Sequence, residues 1–219
     1  MRECASMSRT AIKICGVRDD ATIEIAARAG ADYIGIVLVA ASPRAVAPRD
    51  ATPLALAILN EGAIPVAIVR FPIDAPTMRA LSSFRVVQFH GRETPDEVAQ
   101  FEARSSMHQL WKGLHFSKES TEAWLSSGTI ARLVVDGPSA GSGEAFDHSG
   151  FAALDDPTRA RCFLAGGLHA TNVSHAVASA RPGGVDVSSG VESDRGVKDH
   201  AKIRAFIDAV RAADAARGA

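Results

Sequence analysis

Two short apolar runs near the C-terminus, each ending in small residues, limit what this chain can fold into more than any other feature. Residues 163–168 read FLAGGL and residues 185–192 read VDVSSGVE, with one helix-length segment between them. Apolar runs of this length bounded by glycine are typical of buried parallel strands. Glycine at a strand end lets backbone N–H groups approach an anion closely. The pair therefore predicts an anion-binding site on two consecutive strand–helix units, although each run alone fits a tight turn equally well.

Strand and helix patterns alternate along the whole chain, with short connections and no linker. Strands are predicted at residues 11–15, 32–39, 64–69, 85–89, 108–114, 131–135, 161–165 and 185–188. Helices are predicted at about 20–29, 50–60, 74–82, 95–104, 118–126, 148–154, 171–180 and 198–212. Alternating units imply a parallel sheet with helices outside. Eight units favour closure into a single (β/α)8 TIM barrel over a doubly wound open sheet, because a barrel has no edge strand to protect.

The barrel domain is predicted to cover residues 11–219, after a flexible tail of residues 1–10. The net charge of −1 provides no basic field to attract nucleic acid or an acidic membrane. No apolar run approaches the ~20 residues that span a bilayer, and the N-terminus lacks the apolar core of a signal peptide. Three cysteines form neither a disulfide framework nor a paired metal spacing. We therefore predict a cytoplasmic monomer or homodimer without nucleic-acid or membrane partners.

The residues that end each strand are the candidates for chemistry, because the active site of such a barrel lies at the C-terminal ends of its strands. Cys15 ends the first strand and is followed by glycine, where a thiolate can act as a base or a nucleophile. A single cysteine is nevertheless more often a small buried hydrophobe. Asp136 ends an apolar strand, where a carboxylate is unfavourable unless it is paired or used. The alternative is an aspartate that belongs to a tight turn.

Four further residues are predicted to bind substrate. Arg44 follows the second strand and can hold a carboxylate through two parallel hydrogen bonds, or it can be a solvated loop arginine. His90 follows the fourth strand and is a minor candidate, since histidines are more often structural. Gly141 and Gly143 lie in the long loop after the sixth strand, which lacks the third glycine and the helix of a dinucleotide fingerprint. There is no metal-ligand motif or Walker loop either, and NAD is not predicted as a cofactor.

Taken together, the motifs resemble the phosphoribosylanthranilate isomerase family. The resemblance covers about residues 13–210, and the order of the motifs is far more specific than the glycine runs alone. It implies a ribulose-phosphate-binding type of barrel that requires no metal or organic cofactor. The matching segments are residues 13–16, 30–35, 42–44, 87–91, 135–136, 141–143, 146–147, 164–168, 186–192, 196, 198–200 and 203.

The resemblance implies an Amadori rearrangement in tryptophan biosynthesis, from N-(5-phosphoribosyl)anthranilate to 1-(2-carboxyphenylamino)-1-deoxyribulose 5-phosphate. It makes Asp136 the general acid on the ring oxygen and Cys15 the general base at C2, with Arg44 on the anthranilate carboxylate. Lys13 lies two residues before Cys15 on the same strand face and is expected to favour the thiolate. The phosphate is expected on the backbone N–H groups of Gly166, Gly167, Ser189 and Gly190.

Three positions depart from the usual family pattern. Glu144 and His148 stand where lysine and tryptophan are usual, and Arg70 begins a segment that usually reads Phe-Val-Asn. A carboxylate at position 144 would repel a bound phosphate unless it pointed to solvent. These departures leave open a related sugar-phosphate isomerase that acts on a different aryl amine or on none. A non-catalytic phosphate-ligand-binding barrel, in which Cys15 only packs, is a further alternative.

Overall fold

The computed structural model of the chain describes residues 9–103, 108–137 and 148–218. Its centre is a closed barrel of eight parallel strands, each paired with its neighbour along the chain. The first and last strands pair over four residues, which confirms the predicted (β/α)8 TIM barrel and excludes an open sheet. The strands are β1 (Ala11–Cys15), β2 (Tyr33–Val37), β3 (Ile64–Val69), β4 (Val86–Phe89), β5 (Gln109–His115), β6 (Arg132–Asp136), β7 (Cys162–Ala165) and β8 (Gly184–Val187).

Helices surround the barrel, and several begin where a polar side chain accepts a hydrogen bond from the first turn. Asp19, Asp74, Thr94, Ser117 and Asp155 cap helices in this way, each contributing about 1 kcal/mol by analogy with measured caps. None of the helices within the described ranges is long and apolar enough to cross a membrane. The helices are α1 (Asp20–Ala29), α2 (Pro48–Asn60), α3 (Ala75–Leu81), α4 (Pro95–Glu102), α5 (Lys118–Ser126), α6 (His148–Ala152), α7 (Asp156–Ala160), α8 (Val173–Ala180) and α9 (His200–Gly218).

Two features near the C-terminal half differ from the predicted elements. The short helix α7 was not predicted, because five residues are too few to show a periodic apolar stripe. A 3-10 turn (Ser189–Val191) follows β8 and leads into an antiparallel hairpin of β9 (Glu192–Asp194) and β10 (Val197–Lys198). The last helix consequently begins at His200, two residues later than predicted.

Aromatic side chains fill the N-terminal side of the barrel interior. The Trp111 ring centroid lies 4.8 Å from that of Phe163 and 4.9 Å from that of Tyr33, and all three residues occupy the first halves of their strands. A second apolar layer packs between the strands and the helices. At the N-terminal end, Thr10 donates hydrogen bonds to Asp214 on α9, which anchors the chain just before β1. This packing leaves the C-terminal mouth of the barrel as the place for a cavity.

Candidate active site

A cavity of about 360 Å³ lies at the C-terminal mouth of the barrel. Cys15 at the end of β1, Asp136 at the end of β6, His90 after β4 and Arg44 after β2 all line it. The candidate catalytic pair and two of the predicted substrate-binding residues therefore converge on one site, as parallel strands require. The predicted Gly141 and Gly143, together with Glu144 and the side chain of His148, lie outside the described residues.

A buried ion pair lies beside the thiol of Cys15. Lys13 and Asp186 are register partners on β1 and β8, and the Lys13 Nζ atom is 3.0 Å from Oδ1 of Asp186. Burial raises the pKa of the Cys15 thiol; the Lys13 ammonium opposes this shift and Asp186 adds to it. Lys13 thus shifts the pKa of the thiol in the expected direction, but the effect of burial is larger. Burial also disfavours the Lys13 ammonium, yet Asp186 and Cys15 raise the pKa of Lys13 overall.

Asp136 faces His90 across the mouth, with its Oδ2 atom 3.7 Å from Nε2 of His90. Burial raises the pKa of Asp136 to about 6, and the charge of Asp186 adds to this shift. Burial also lowers the pKa of His90, and the Lys13 ammonium further disfavours a positive imidazole. A carboxyl group that keeps a share of its proton near neutral pH, beside a neutral imidazole, is suited to general acid catalysis.

The position of His90 depends on a glycine in the next strand. A Cβ atom at Gly113 on β5 would overlap Nδ1 of His90, so only glycine lets the ring lie there without a shift. Gln88 approaches the same nitrogen at 3.4 Å, and Nε of Arg70 donates a 3.0 Å hydrogen bond to the His90 carbonyl oxygen. Arg70 and His90 also border a second, adjoining cavity of about 540 Å³. The departure at Arg70 therefore places an extra guanidinium at the rim of both cavities.

Four residues after β7 and β8 form what we call the backbone cradle: Gly166, Gly167, Ser189 and Gly190. Gly166 and Gly167 adopt left-handed φ angles of 82° and 66°. A Cβ atom at Gly190 would overlap the carbonyl oxygen of Leu168, so the two loops touch through backbone at this point. Within the part of the chain that the structure describes, the N–H groups of the cradle have no protein acceptor. The lining of the first cavity reaches Ser188, the residue just before Ser189 of the cradle.

Arg44 is already bound to a carboxylate of the protein itself. Its Nε and Nη2 atoms lie 2.6 Å and 2.8 Å from the two carboxylate oxygens of Glu192, and its side chain is only 22% exposed, so it is not a solvated loop arginine. Glu192 also accepts hydrogen bonds from Lys198 Nζ and the Gly196 N–H. Burial opposes ionisation of Glu192, but Arg44 and Lys198 outweigh it and lower its pKa to about 2.

Sequence reasoning assigned no role to Asp186, Glu192 or Lys198, although all three lie in the matched segments. For Asp186 the sequence did contain an indication of a role. Lys13 and Asp186 are charged residues inside apolar runs, and a closed barrel makes these two runs neighbours. The sequence contained no such indication for Glu192 and Lys198, since their pairing depends on the hairpin after β8. Among the described residues, no group of three or more His, Cys, Asp or Glu side chains could hold a metal ion.

The closed barrel and the ionisable groups at its mouth place this protein among the (β/α)8-barrel enzymes. Residues 12–209 match the family model of N-(5'-phosphoribosyl)anthranilate (PRA) isomerase. The chain therefore belongs to the phosphoribosylanthranilate isomerase family, a family of tryptophan biosynthesis, which confirms the resemblance seen in the sequence. As a member of that family it is an intramolecular oxidoreductase of the aldose–ketose isomerase type.

The similarity extends over nearly the whole chain. The N-(5'-phosphoribosyl)anthranilate isomerase of Azorhizobium caulinodans is 39% identical over 216 residues, which cover 94% of this chain and 93% of the relative. The crystal structure of phosphoribosyl anthranilate isomerase from Thermotoga maritima superposes with a TM-score of 0.77 at 28% identity, covering 93% of this chain and 99% of that chain. A phosphoribosyl anthranilate isomerase in complex with reduced 1-(o-carboxyphenylamino)-1-deoxyribulose 5-phosphate gives a TM-score of 0.76 at 28% identity, with the same coverage.

Proposed function

We propose that this protein catalyses the Amadori rearrangement of N-(5'-phosphoribosyl)anthranilate to 1-(2-carboxyphenylamino)-1-deoxyribulose 5-phosphate. The observation that carries the proposal is the presence of one thiol, Cys15, and one carboxyl group with a raised pKa, Asp136, in the same cavity. Membership of the family and the relative crystallised with a reduced product support it. The rearrangement needs one acid and one base, and these two groups supply them.

Asp136 is the general acid of the first step. Its proton passes to the ring oxygen of the ribose as the bond between that oxygen and C1 breaks, and the amine nitrogen forms the C=N bond of a Schiff base. The pKa of about 6 leaves a usable fraction of protonated carboxyl at neutral pH. Burial disfavours the charged carboxylate, so a larger share of Asp136 still holds the proton it must donate at neutral pH.

Cys15 is the general base of the second step. Its thiolate takes the proton from C2, the C–H electron pair forms the C1=C2 bond, and the C=N electrons return to nitrogen to give an enol-amine. Tautomerisation then yields the ketone. The raised pKa makes the thiolate a strong base, and the Lys13 ammonium stabilises its charge while it exists.

The substrate carries two anionic groups that the protein can hold at separate places. We propose that the phosphate binds the N–H groups of the backbone cradle, since groups of this kind hold anions well. The anthranilate carboxylate then binds Arg44, which lines the cavity. His90 lies beside Asp136 and contacts the sugar at the same mouth.

Replacement of Gly190 by alanine tests the phosphate position. The added methyl group would overlap the Leu168 carbonyl oxygen and displace the backbone cradle. We expect KM to rise by about 10- to 100-fold, as loss of one or two charge-assisted hydrogen bonds implies, with a smaller change in kcat. Gly218→Ala is the control, because a Cβ there meets no atom within 4 Å. An unchanged KM in Gly190→Ala would place the phosphate elsewhere.

Turnover by the purified protein tests the reaction itself. Anthranilate fluorescence should fall as product forms, with kcat in the usual enzyme range of roughly 1–10³ s⁻¹. Rescue of a tryptophan auxotroph that lacks this step gives an independent result. Tight binding of the substrate without turnover would instead identify a phosphate-ligand-binding barrel.

A second candidate function is the same rearrangement with a different phosphoribosyl amine. Arg70 favours it, because this residue adds a guanidinium at the rim of both cavities where the family usually has none. A panel of phosphoribosyl arylamines with differently placed anionic groups distinguishes the two functions. The highest kcat/KM on the anthranilate compound would rule out the second candidate.

A further inference from the structure

Glu192 and Lys198 form a buried charged pair beneath Arg44 that the proposed mechanism does not use. Their side chains are 5% and 2% exposed, and Lys198 Nζ lies 2.8 Å from Oε1 of Glu192. Lys198 also donates to the carbonyl oxygen of Ser188 at 2.8 Å, and the Ser188 hydroxyl donates to the carbonyl oxygen of Cys15 at 3.1 Å. The pair is therefore tied to the backbone of the strand ends that carry the cavity.

Two glycines fit the Arg44 loop closely against its surroundings. A Cβ atom at Gly16 would lie 2.5 Å from Cδ of Arg44, and one at Gly196 would lie 2.7 Å from the Pro43 carbonyl oxygen. The N–H group of Gly196 donates a 3.1 Å hydrogen bond to Oε2 of Glu192. Glu192 is thus held in place by Lys198 and by the hairpin, and it holds Arg44 in turn.

The way Glu192 binds Arg44 determines which N–H donors of the guanidinium it does not use. A guanidinium has five N–H groups in a rigid plane, and Glu192 takes the edge formed by Nε and one hydrogen of Nη2. The adjoining edge, formed by Nη1 and the other hydrogen of Nη2, is still available. Among the residues that the structure describes, Nη1 has no hydrogen-bond acceptor. That edge matches the two oxygens of a second carboxylate.

We propose that Glu192, held by Lys198 and Gly196, is a positioning residue that turns the free edge of the Arg44 guanidinium towards the carboxylate of the substrate's arylamine. The inference rests on the proposed function. A flexible arginine would have to lose rotamer freedom each time the carboxylate binds, whereas an arginine already fixed by Glu192 does not. Glu192 therefore selects substrates that carry a carboxylate next to the amine, without touching the substrate itself.

The variant Glu192→Gln, assayed with two substrates that differ only in the carboxyl group, tests this proposal. We expect KM for N-(5'-phosphoribosyl)anthranilate to rise about tenfold, since roughly one ordered side chain is at stake. KM for N-(5'-phosphoribosyl)aniline, which lacks the carboxylate, should change less than about twofold, and kcat should stay similar for both. Arg44→Ala should show the same selectivity, and adding Glu192→Gln to it should have little further effect, because the two residues act as one unit.

The control is Glu93→Gln, which alters another buried carboxylate–lysine pair beside the mouth. Glu93 lies 2.7 Å from Lys112 Nζ and accepts from the N–H groups of Phe71 and Gly91, but it does not contact Arg44. Its replacement should affect both substrates alike. If Glu192→Gln fails to fold, as judged by its melting temperature, Lys198→Met and Glu192→Asp test the same point.

Equal KM changes for the two substrates in Glu192→Gln, or additive effects with Arg44→Ala, would overturn the positioning role. Failure of the proposed function looks different, because the wild-type protein would then not convert the anthranilate substrate at all. A wild-type enzyme that turns over, together with a variant that does not discriminate, would leave the reaction intact and remove only this inference.

Discussion

Replacement of Cys15 by alanine is expected to lower kcat by about 10³-fold, the middle of the range for loss of a general base. In the proposed mechanism the thiolate removes the C2 proton, and no other thiol lines the cavity among the described residues. KM should change little, because the proposed binding sites for the phosphate and the carboxylate of the substrate do not include Cys15. The fluorescence assay measures both constants, and Cys15→Ser, which keeps the shape but has a hydroxyl that does not ionise near neutral pH, should be nearly as inactive.

Cys162 provides a matched control for this prediction. It begins β7 at the opposite end of the barrel, is fully buried, and donates its S–H to the Thr158 carbonyl oxygen. Burial raises the pKa of its thiol to about 12, so it is unreactive at neutral pH. Cys162→Ala should therefore lower the free energy of unfolding by roughly 1 kcal/mol and leave kcat unchanged. Full activity of Cys15→Ala would refute the assigned base.

Replacement of Asp136 by asparagine is expected to lower kcat/KM by about 10²- to 10⁴-fold, because the amide cannot donate the proton that opens the ring. Asparagine has nearly the same shape, so binding of a product analogue should survive. Asp214→Asn is the control, since it alters a carboxylate at the N-terminal end that pairs with Thr10 and Arg211. That variant should lose stability but keep its kcat/KM.

Asp136 should also determine how kcat/KM falls on the acidic side of its pH profile. Above a pH of about 6 Cys15 and Asp136 together hold one proton. The productive form is the one in which Asp136 carries this proton. It is a constant fraction of the singly protonated protein, so kcat/KM does not change with pH in this range. Below this pH a second proton binds, both groups are neutral, and kcat/KM should fall tenfold for each pH unit. Asp186 raises this apparent pKa, whereas His115 and Lys13 oppose it.

Comparison of wild type with two variants checks whether Asp136 is the group that titrates on the acidic side. Wild type should show the acidic limb near pH 6, Asp136→Asn should lose it along with most activity, and His90→Asn should keep it. An acidic limb that persists in Asp136→Asn and disappears in His90→Asn would assign the titration to the imidazole instead. The basic limb, in contrast, should lie above the ordinary pKa of a thiol, because burial raises the pKa of Cys15.

The positions of the proposed catalytic residues were predictable because they end strands. Cys15 and Asp136 close apolar runs in the sequence, and the structure ends β1 and β6 at those residues. Parallel strands place their carboxyl ends at one edge, so chain order alone brings a thiol and a carboxyl group to one mouth. The glycines of the backbone cradle were predictable for the same reason, since Gly166 and Gly167 follow β7 directly and Gly190 lies three residues after the end of β8.

The support of Arg44 was not predictable from local pattern. Glu192 lies 148 positions away in the chain, in a strand of three residues that shows no periodicity. Its contact with Arg44 exists only because the barrel closes and the hairpin after β8 folds over the loop after β2. The five-residue helix α7 was missed for a related reason, as it is too short to carry an amphipathic stripe.

The sequence by itself determined the order of eight strand–helix units, the residues at the strand ends and the family motifs, because periodicity and chain order are local properties. Only the tertiary structure decided that burial outweighs Lys13 at the Cys15 thiol, that the pKa of Asp136 rises to about 6, and that one edge of the Arg44 guanidinium has no acceptor among the described residues. Burial and ion pairing depend on atoms contributed by distant parts of the chain, so they exist only after β1 and β8 have met.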